Sequence, residues 1–371
     1  MSEDIDRMAD LSEQDQERLA QTGLEVDLKN RSGSFFQVDQ DIKQAASLEK
    51  GIEVLAIADA LEKYDWLQEY SWKLVPRDKD QYTRYVAGQP EPNGFVVIAR
   101  KGSRTVYPLQ ACLFLARSNV QHVHNIVIAE EGAELHIISG CASASYAKTG
   151  SHLGVTEFYI GRNAHVTSTM IHNWGDEISV FPRSASVVEE NGAFLSNYVC
   201  MQPVKRIQMS PVAYLKGKNS VGRFSSIVVS TSGSYMDLGS VAHLLAEGAS
   251  AELLTRAITT GGYIVSRGMI EGQVRNTRGH IECKGLILRD GVIHAIPEIK
   301  GDVVDTELSH EAAVGKIARD EIEYLMSRGL SEDEATATII RGFLDVKITG
   351  LPDVLQKQID AAIDAAEHSG F

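Results

Sequence analysis

Cysteine is scarce in this chain: Cys112, Cys141, Cys200 and Cys283 lie far apart among 371 residues, with no C-x-x-C spacing. A chain this long buries enough core to fold without staples, so the four read as free thiols, mostly core, rather than a disulfide framework. Positive charge is scarce as well. The formal net charge is -14 and the densest basic cluster is the pair Lys205 and Arg206, which excludes a phosphate-tracking surface and predicts no nucleic-acid partner. No apolar run reaches the roughly 20 residues of a membrane helix. The start, MSEDIDRMADLSEQDQERL, is acidic where a signal peptide is basic and then apolar. A cytoplasmic protein with no membrane partner is expected. Neither G-x-x-x-x-G-K-[ST] nor G-x-G-x-x-G occurs, so any ATP that drives this protein is bound elsewhere. Neither G-x-S-x-G nor H-E-x-x-H occurs, so common hydrolase chemistry has no anchor.

The remainder is ordinary globular material, 43% hydrophobic and 23% charged, and it divides into three textures. Residues 1–94 read as an N-terminal helical region and linker. Ser12 opens a helix with Glu13 and Asp15 in its first turn, and Val54, Ile57, Ala58 and Leu61 recur at helical spacing. RSGSFFQVDQ reads as a loop or short strand, and Pro76, Pro90 and Pro92 disfavour regular structure in the linker. Residues 95–307 carry short β-branched runs punctuated by Gly or Asn followed by a small residue. Gly132-Ala133, Asn163-Ala164, Gly192-Ala193, Asn219-Ser220 and Gly248-Ala249 recur about every 29 residues, with Gly279 next. Strands and tight corners without intervening helices make a β-solenoid, the Gly or Asn taking the positive-φ corner. The expected fold is mainly β, a right-handed parallel β-helix core with N-terminal and C-terminal α-helical regions; the period alone leaves open one wide coil or two narrow ones. Residues 308–371 read as a C-terminal helical domain that caps the solenoid. Gly329 ends one helix, Ser331 with Glu334 opens the next as a capping box, and Leu355 to Ala366 form a last amphipathic helix.

Chemistry concentrates between His280 and Leu344. In IECKGLIL, strand alternation puts Ile281, Cys283 and Ile287 on one face, which suits a buried small hydrophobe; neighbouring Lys284 favours the thiolate form that binds iron. His310 and Glu311 fall at an expected strand-to-helix junction. There Ser309 would cap and Glu311 would suit the positive end of the helix dipole, whereas His310 is better used as a neutral ligand or hydrogen-bond donor. Thiolate, imidazole and carboxylate together hold iron less tightly than four thiolates, as suits a site that passes its cargo on. Three ligands per chain leave a cluster underligated, and a two-fold axis remedies that. His122 and His124 share a strand face, but no third ligand is evident nearby.

HNIVIAEEGAELHIISGC, TEFYIGRNAHVTSTMIHNWG, HIECKGLIL, ELSHEAAVGKI and SRGLSEDEATATIIRGFL resemble motifs of the SufB/SufD family of iron-sulfur cluster assembly scaffolds, from about His122 to Leu351. The resemblance implies a non-enzymatic scaffold that builds a transient iron-sulfur cluster between two β-helix subunits. It also implies a separate SufC-type ABC ATPase as partner and Fe-S acceptor proteins as recipients. Carried over by position, Cys283 and Glu311 resemble interface residues of SufB and His310 one of SufD, which suits a homodimer. Leu330, Ser331, Glu332, Ala335, Ile339, Ile340 and Phe343 would form the ATPase-docking surface. Ala213 stands where longer SufB proteins have a cysteine thought to receive sulfur, so another route for sulfur is expected; Glu282 and Glu307 are further potential ligands. The alternatives are a structural β-solenoid platform that organises the ATPase without metal, and a carbohydrate-active β-helix enzyme with paired carboxylates in a groove.

Overall fold

Two long sheets face one another, one of ten strands and one of eleven, in a computed structural model that describes residue 5 and residues 7–25 and 30–344. Apart from two antiparallel pairs near the N-terminus, Gly33–Val38 with Asp41–Ser47 and Ile52–Ala56 with Phe95–Ala99, successive strands of each sheet pair in parallel. Thr277–Ile287 thus lies between Ser250–Thr259 and Thr306–Gly315. One repeat is therefore one wide coil that contributes to both sheets, and about eight coils make a parallel β-solenoid.

The corners explain the period. Gly132, Asn163, Asn191, Asn219, Gly248, Asn276 and Asp305 all have positive φ, from 53° to 76°, a region that Gly and Asn enter at least cost. At two corners the sequence reading is displaced: the turn residues are Asn191 and Asn276, not the following Gly192 and Gly279. The asparagines also stack. Asn219 Nδ2 donates to Asn191 Oδ1 and Asn191 Nδ2 to Asn163 Oδ1, each at 3.1 Å. Between corners, alternate side chains fill the space between the sheets, from Phe35 and Leu109 through Ile207 and Leu238 to Ile281 and Cys283.

The N-terminal region is less helical than its pattern suggested. Ser12 does cap the helix Glu13–Ala20, its hydroxyl accepting from the Asp15 amide at 3.2 Å. Val54, however, belongs to a strand, and only Ile57–Lys63 is helical. The Pro-flanked linker holds a helix, Gln81–Ala87, because Asp80 accepts from the amides of Tyr82 and Thr83 at 2.9 Å. The helices Ile57–Lys63 and Gln81–Ala87 cover the outer face of the eleven-stranded sheet, and Glu13–Ala20 packs on the ten-stranded one.

The C-terminal end departs from expectation in two ways. Residues 308–315 are not helix but the last strand of the ten-stranded sheet, paired from Thr306 with Thr277 onward. The first helix is Arg319–Ser327 with Ala318 at its N-cap, so Ser309 caps nothing. Secondly, the helical pair does not cover the end of the solenoid. Ile340 and Leu344, from the helix Glu332–Leu344, pack on the flank against Ile171, Val199, Ile227, Ile258 and Leu286. Residues 298–301 and 309–316 of the final coil are exposed. Gly329, at φ 99°, ends the first helix, and Ser331 and Glu334 exchange the capping-box bonds at 2.8 and 3.3 Å. The expected helix from Leu355 to Ala366 lies outside the described residues.

Candidate functional site at the open end of the solenoid

Cys283 lies one coil below the exposed end. In Thr277–Ile287 the residues Thr277, Gly279, Ile281 and Cys283 are buried, whereas Arg278, His280, Glu282 and Lys284 face outward. The Cys283 side chain enters the space between the sheets, where Ser266 Oγ donates to Sγ at 3.6 Å from the opposite sheet. Burial pushes the thiol pKa up, and the Ser266 hydrogen bond only partly offsets it. In the closed chain Cys283 is thus an enclosed, protonated thiol. Lys284 does not activate it, because its ammonium points outward to Glu282, 2.6 Å away.

Register places the other two candidates on opposite sides of the last strand. His310 pairs with Ile281 and Glu311 with Glu282, so the pleat gives His310 the inward side shared with Cys283 and Glu311 the outward side. Cys283 and His310 share the inward side, two register positions apart on adjacent strands; Glu311 does not. On the outward side Glu311 meets His280 and Glu282. Their potential ligand atoms all lie within 4.8 Å of one another, the one such group of three or more among the described residues. Glu282 also pairs with Arg256. Burial alone would raise its pKa, but Lys284 and Arg256 hold it below the usual carboxylate range. Glu307 pairs with Arg278 at 3.0 Å, away from this group. The signal for His280 was present in the sequence as H-x-E at strand spacing, but its partner across the register was not.

His122 and His124 do share a face. The third residue beside His124 is Glu157, one coil on: His124 Nε2 lies 2.8 Å from its carboxylate. Fully buried, Glu157 also accepts from the amides of Trp72, Leu74 and Val75 at 2.6, 2.5 and 3.1 Å, a structural clasp. The expected docking set divides. Ala335 and Ile340 are buried, Ile340 against the solenoid, whereas Ser331 and Glu332 are exposed and Leu330, Ile339 and Phe343 half-buried. Ala213 is buried core.

With this geometry in view, similarity to known proteins is informative. The family model described as SUF system FeS cluster assembly, SufBD core domain, matches residues 113–343. An iron-sulfur cluster assembly SufBD family protein of Archaeoglobus fulgidus is 47% identical over 354 residues, 95% of each chain. One from Methanothermobacter thermautotrophicus (strain Winter) is 43% identical over 368 residues, 98% of this chain and 90% of the relative. A more distant one, from Pyrococcus horikoshii, is 29% identical over 378 residues, 100% of this chain and 84% of the relative. The match over most of both chains, together with the solenoid itself, means that this chain belongs to the SufBD family of iron-sulfur cluster assembly proteins.

Proposed function

We propose that the chain is a scaffold, not an enzyme, on which a nascent iron-sulfur cluster forms at a homodimer interface built from the open solenoid ends. The observation that carries this reading is that no described residue caps the last coil, with His310 on its inward side and Cys283 on the same side one coil below. Among the described residues both terminal strands, Val292–Gly301 and Thr306–Gly315, have an unpaired edge, and Ile299, Val304 and Val314 are exposed there. Such an edge is an invitation to pair with another chain. Pro297 interrupts the donors of one edge strand, while the strand bearing His310 has no proline. A two-fold axis at that strand doubles the thiolates and imidazoles facing one chamber, with Glu311 at the rim.

The burial of Cys283 supports a partner that does mechanical work. A protonated, enclosed thiol binds iron only after the chamber opens, and a separate SufC-type ABC ATPase acting on the C-terminal helices would supply that motion. Ile340 and Leu344 join those helices to the solenoid flank, so a pull on them is transmitted to the coils that carry Cys283. Fe-S acceptor proteins would take the cluster. The rival reading, a platform without metal, draws on the same burial, since Cys283 also serves as a small core residue. Anaerobic reconstitution with ferrous iron and sulfide, comparing wild type with Cys283→Ala by visible absorption and iron content, separates the two. Loss of the cluster in the variant supports the scaffold; equal loading overturns it.

A further inference from the structure

The outward side of the last two coils carries a group of which only Glu311 borders the cluster chamber. His280 and Glu282 lie two residues apart on one strand, and Glu311 stacks on Glu282 from the next. Two carboxylates and an imidazole converge within 4.8 Å, a donor set suited to ferrous, manganous or cobaltous ions. Two further observations point to a cation here. His280 Nδ1 lies 2.9 Å from Ser309 Oγ, which orients the ring and leaves Nε2 for a ligand, the outer-shell arrangement common to metal-binding histidines. His280 and Ser309 also line an open groove of about 680 Å³ on this face, bordered by Arg223, Arg278 and Glu307, and the Glu311 side chain is 55% exposed, so His280 and Glu311 are reached from solvent. In addition a cation already bridges the carboxylates: Lys284 Nζ is 2.6 Å from one oxygen of Glu282 and 3.4 Å from Glu311, while Arg256 holds the other oxygen of Glu282. The Lys284 head group is on a flexible stem and part-exposed, so an entering ion can displace it.

We propose that His280, Glu282 and Glu311 form a mononuclear binding site for a divalent first-row metal ion, with Lys284 as the resident counter-cation that the ion displaces. The site lies on the opposite face of the strand from Cys283 and needs no second chain. Its use as a staging point for cluster iron rests on the scaffold reading; the binding itself does not.

The test is anaerobic titration of the full chain with Co(II), followed by visible and near-ultraviolet absorption. One equivalent is expected to bind with weak d–d bands and no thiolate-to-metal charge-transfer band. His280→Ala and Glu311→Gln should each weaken binding at least tenfold, Lys284→Met should strengthen it several-fold, and Cys283→Ser should leave it unchanged. Circular dichroism checks that each variant keeps the fold; Ser309→Ala, which leaves all three ligands in place, should weaken binding by about tenfold and serves if a ligand variant unfolds. Absence of stoichiometric binding overturns the site. So does a charge-transfer band abolished by Cys283→Ser, or affinity indifferent to both His280→Ala and Glu311→Gln. Failure of cluster reconstitution with Co(II) binding intact counts against the scaffold alone.

Discussion

Replacing Glu157 by glutamine tests how the N-terminal segment is fastened to the solenoid. The carboxylate is fully buried. Oε1 accepts from the amides of Leu74 and Val75, and Oε2 from Trp72 and, at 2.8 Å, from His124 Nε2. Glutamine preserves one acceptor oxygen and turns the other into a donor facing two donors. His124 can answer by changing tautomer; the Trp72 amide cannot, and Trp72 is held at φ 60°, a conformation that a bulky residue keeps only under constraint. One charge-assisted bond is lost and one buried amide is orphaned, each worth about 1–3 kcal/mol. The expected loss is thus about 2–6 kcal/mol for Glu157→Gln, and more for Glu157→Ala, which strips all three amides. Urea unfolding followed by circular dichroism measures the loss. Trypsin cleavage after the exposed Lys73 and Arg77 should accelerate in parallel, since that segment is what the carboxylate holds. A Glu157→Ala protein with an unchanged midpoint and an unchanged cleavage rate would refute the reasoning.

Two further outcomes follow from the core and the corners. Burial, with His122 nearby, lowers the His152 pKa to about 4, and burial takes His172 well below its usual range. The unfolded chain takes up these protons below about pH 6.5 while the folded chain resists. Stability should therefore fall as pH drops from about 6.5 to about 4, by about 3 kcal/mol for His152 alone, and His152→Gln should flatten the pH dependence of the urea midpoint. At the corners, Asn219→Ala should cost about 1–2 kcal/mol through its left-handed backbone and the lost bond to Asn191, whereas Asn219→Gly should cost less. Equal midpoints for the two substitutions in urea would contradict that account.

The corners were legible because their constraint is local: a positive φ at Asn163, Asn219 or Gly248 demands Gly or Asn whatever surrounds it, and repetition revealed the solenoid. The alternation that buries Cys283 and the Ser331–Glu334 cap were legible for the same reason, each being settled within a few residues. What lies across coils was not. SHEAAVGK has the Ala and Glu content of a helix, yet pairing with Thr277–Ile287 makes most of it a strand, since a ladder of interstrand bonds outweighs weak propensity. That reassignment put His310 and Glu311 on opposite faces and brought His280 to Glu311. Likewise His124 found Glu157, and the C-terminal helices found the flank instead of the end, through contacts between residues far apart in sequence. By itself the sequence determined the corners and their period; only the stacking of coils decided that one period is one wide coil and which side chains meet, because register and pleat are properties of the paired strands.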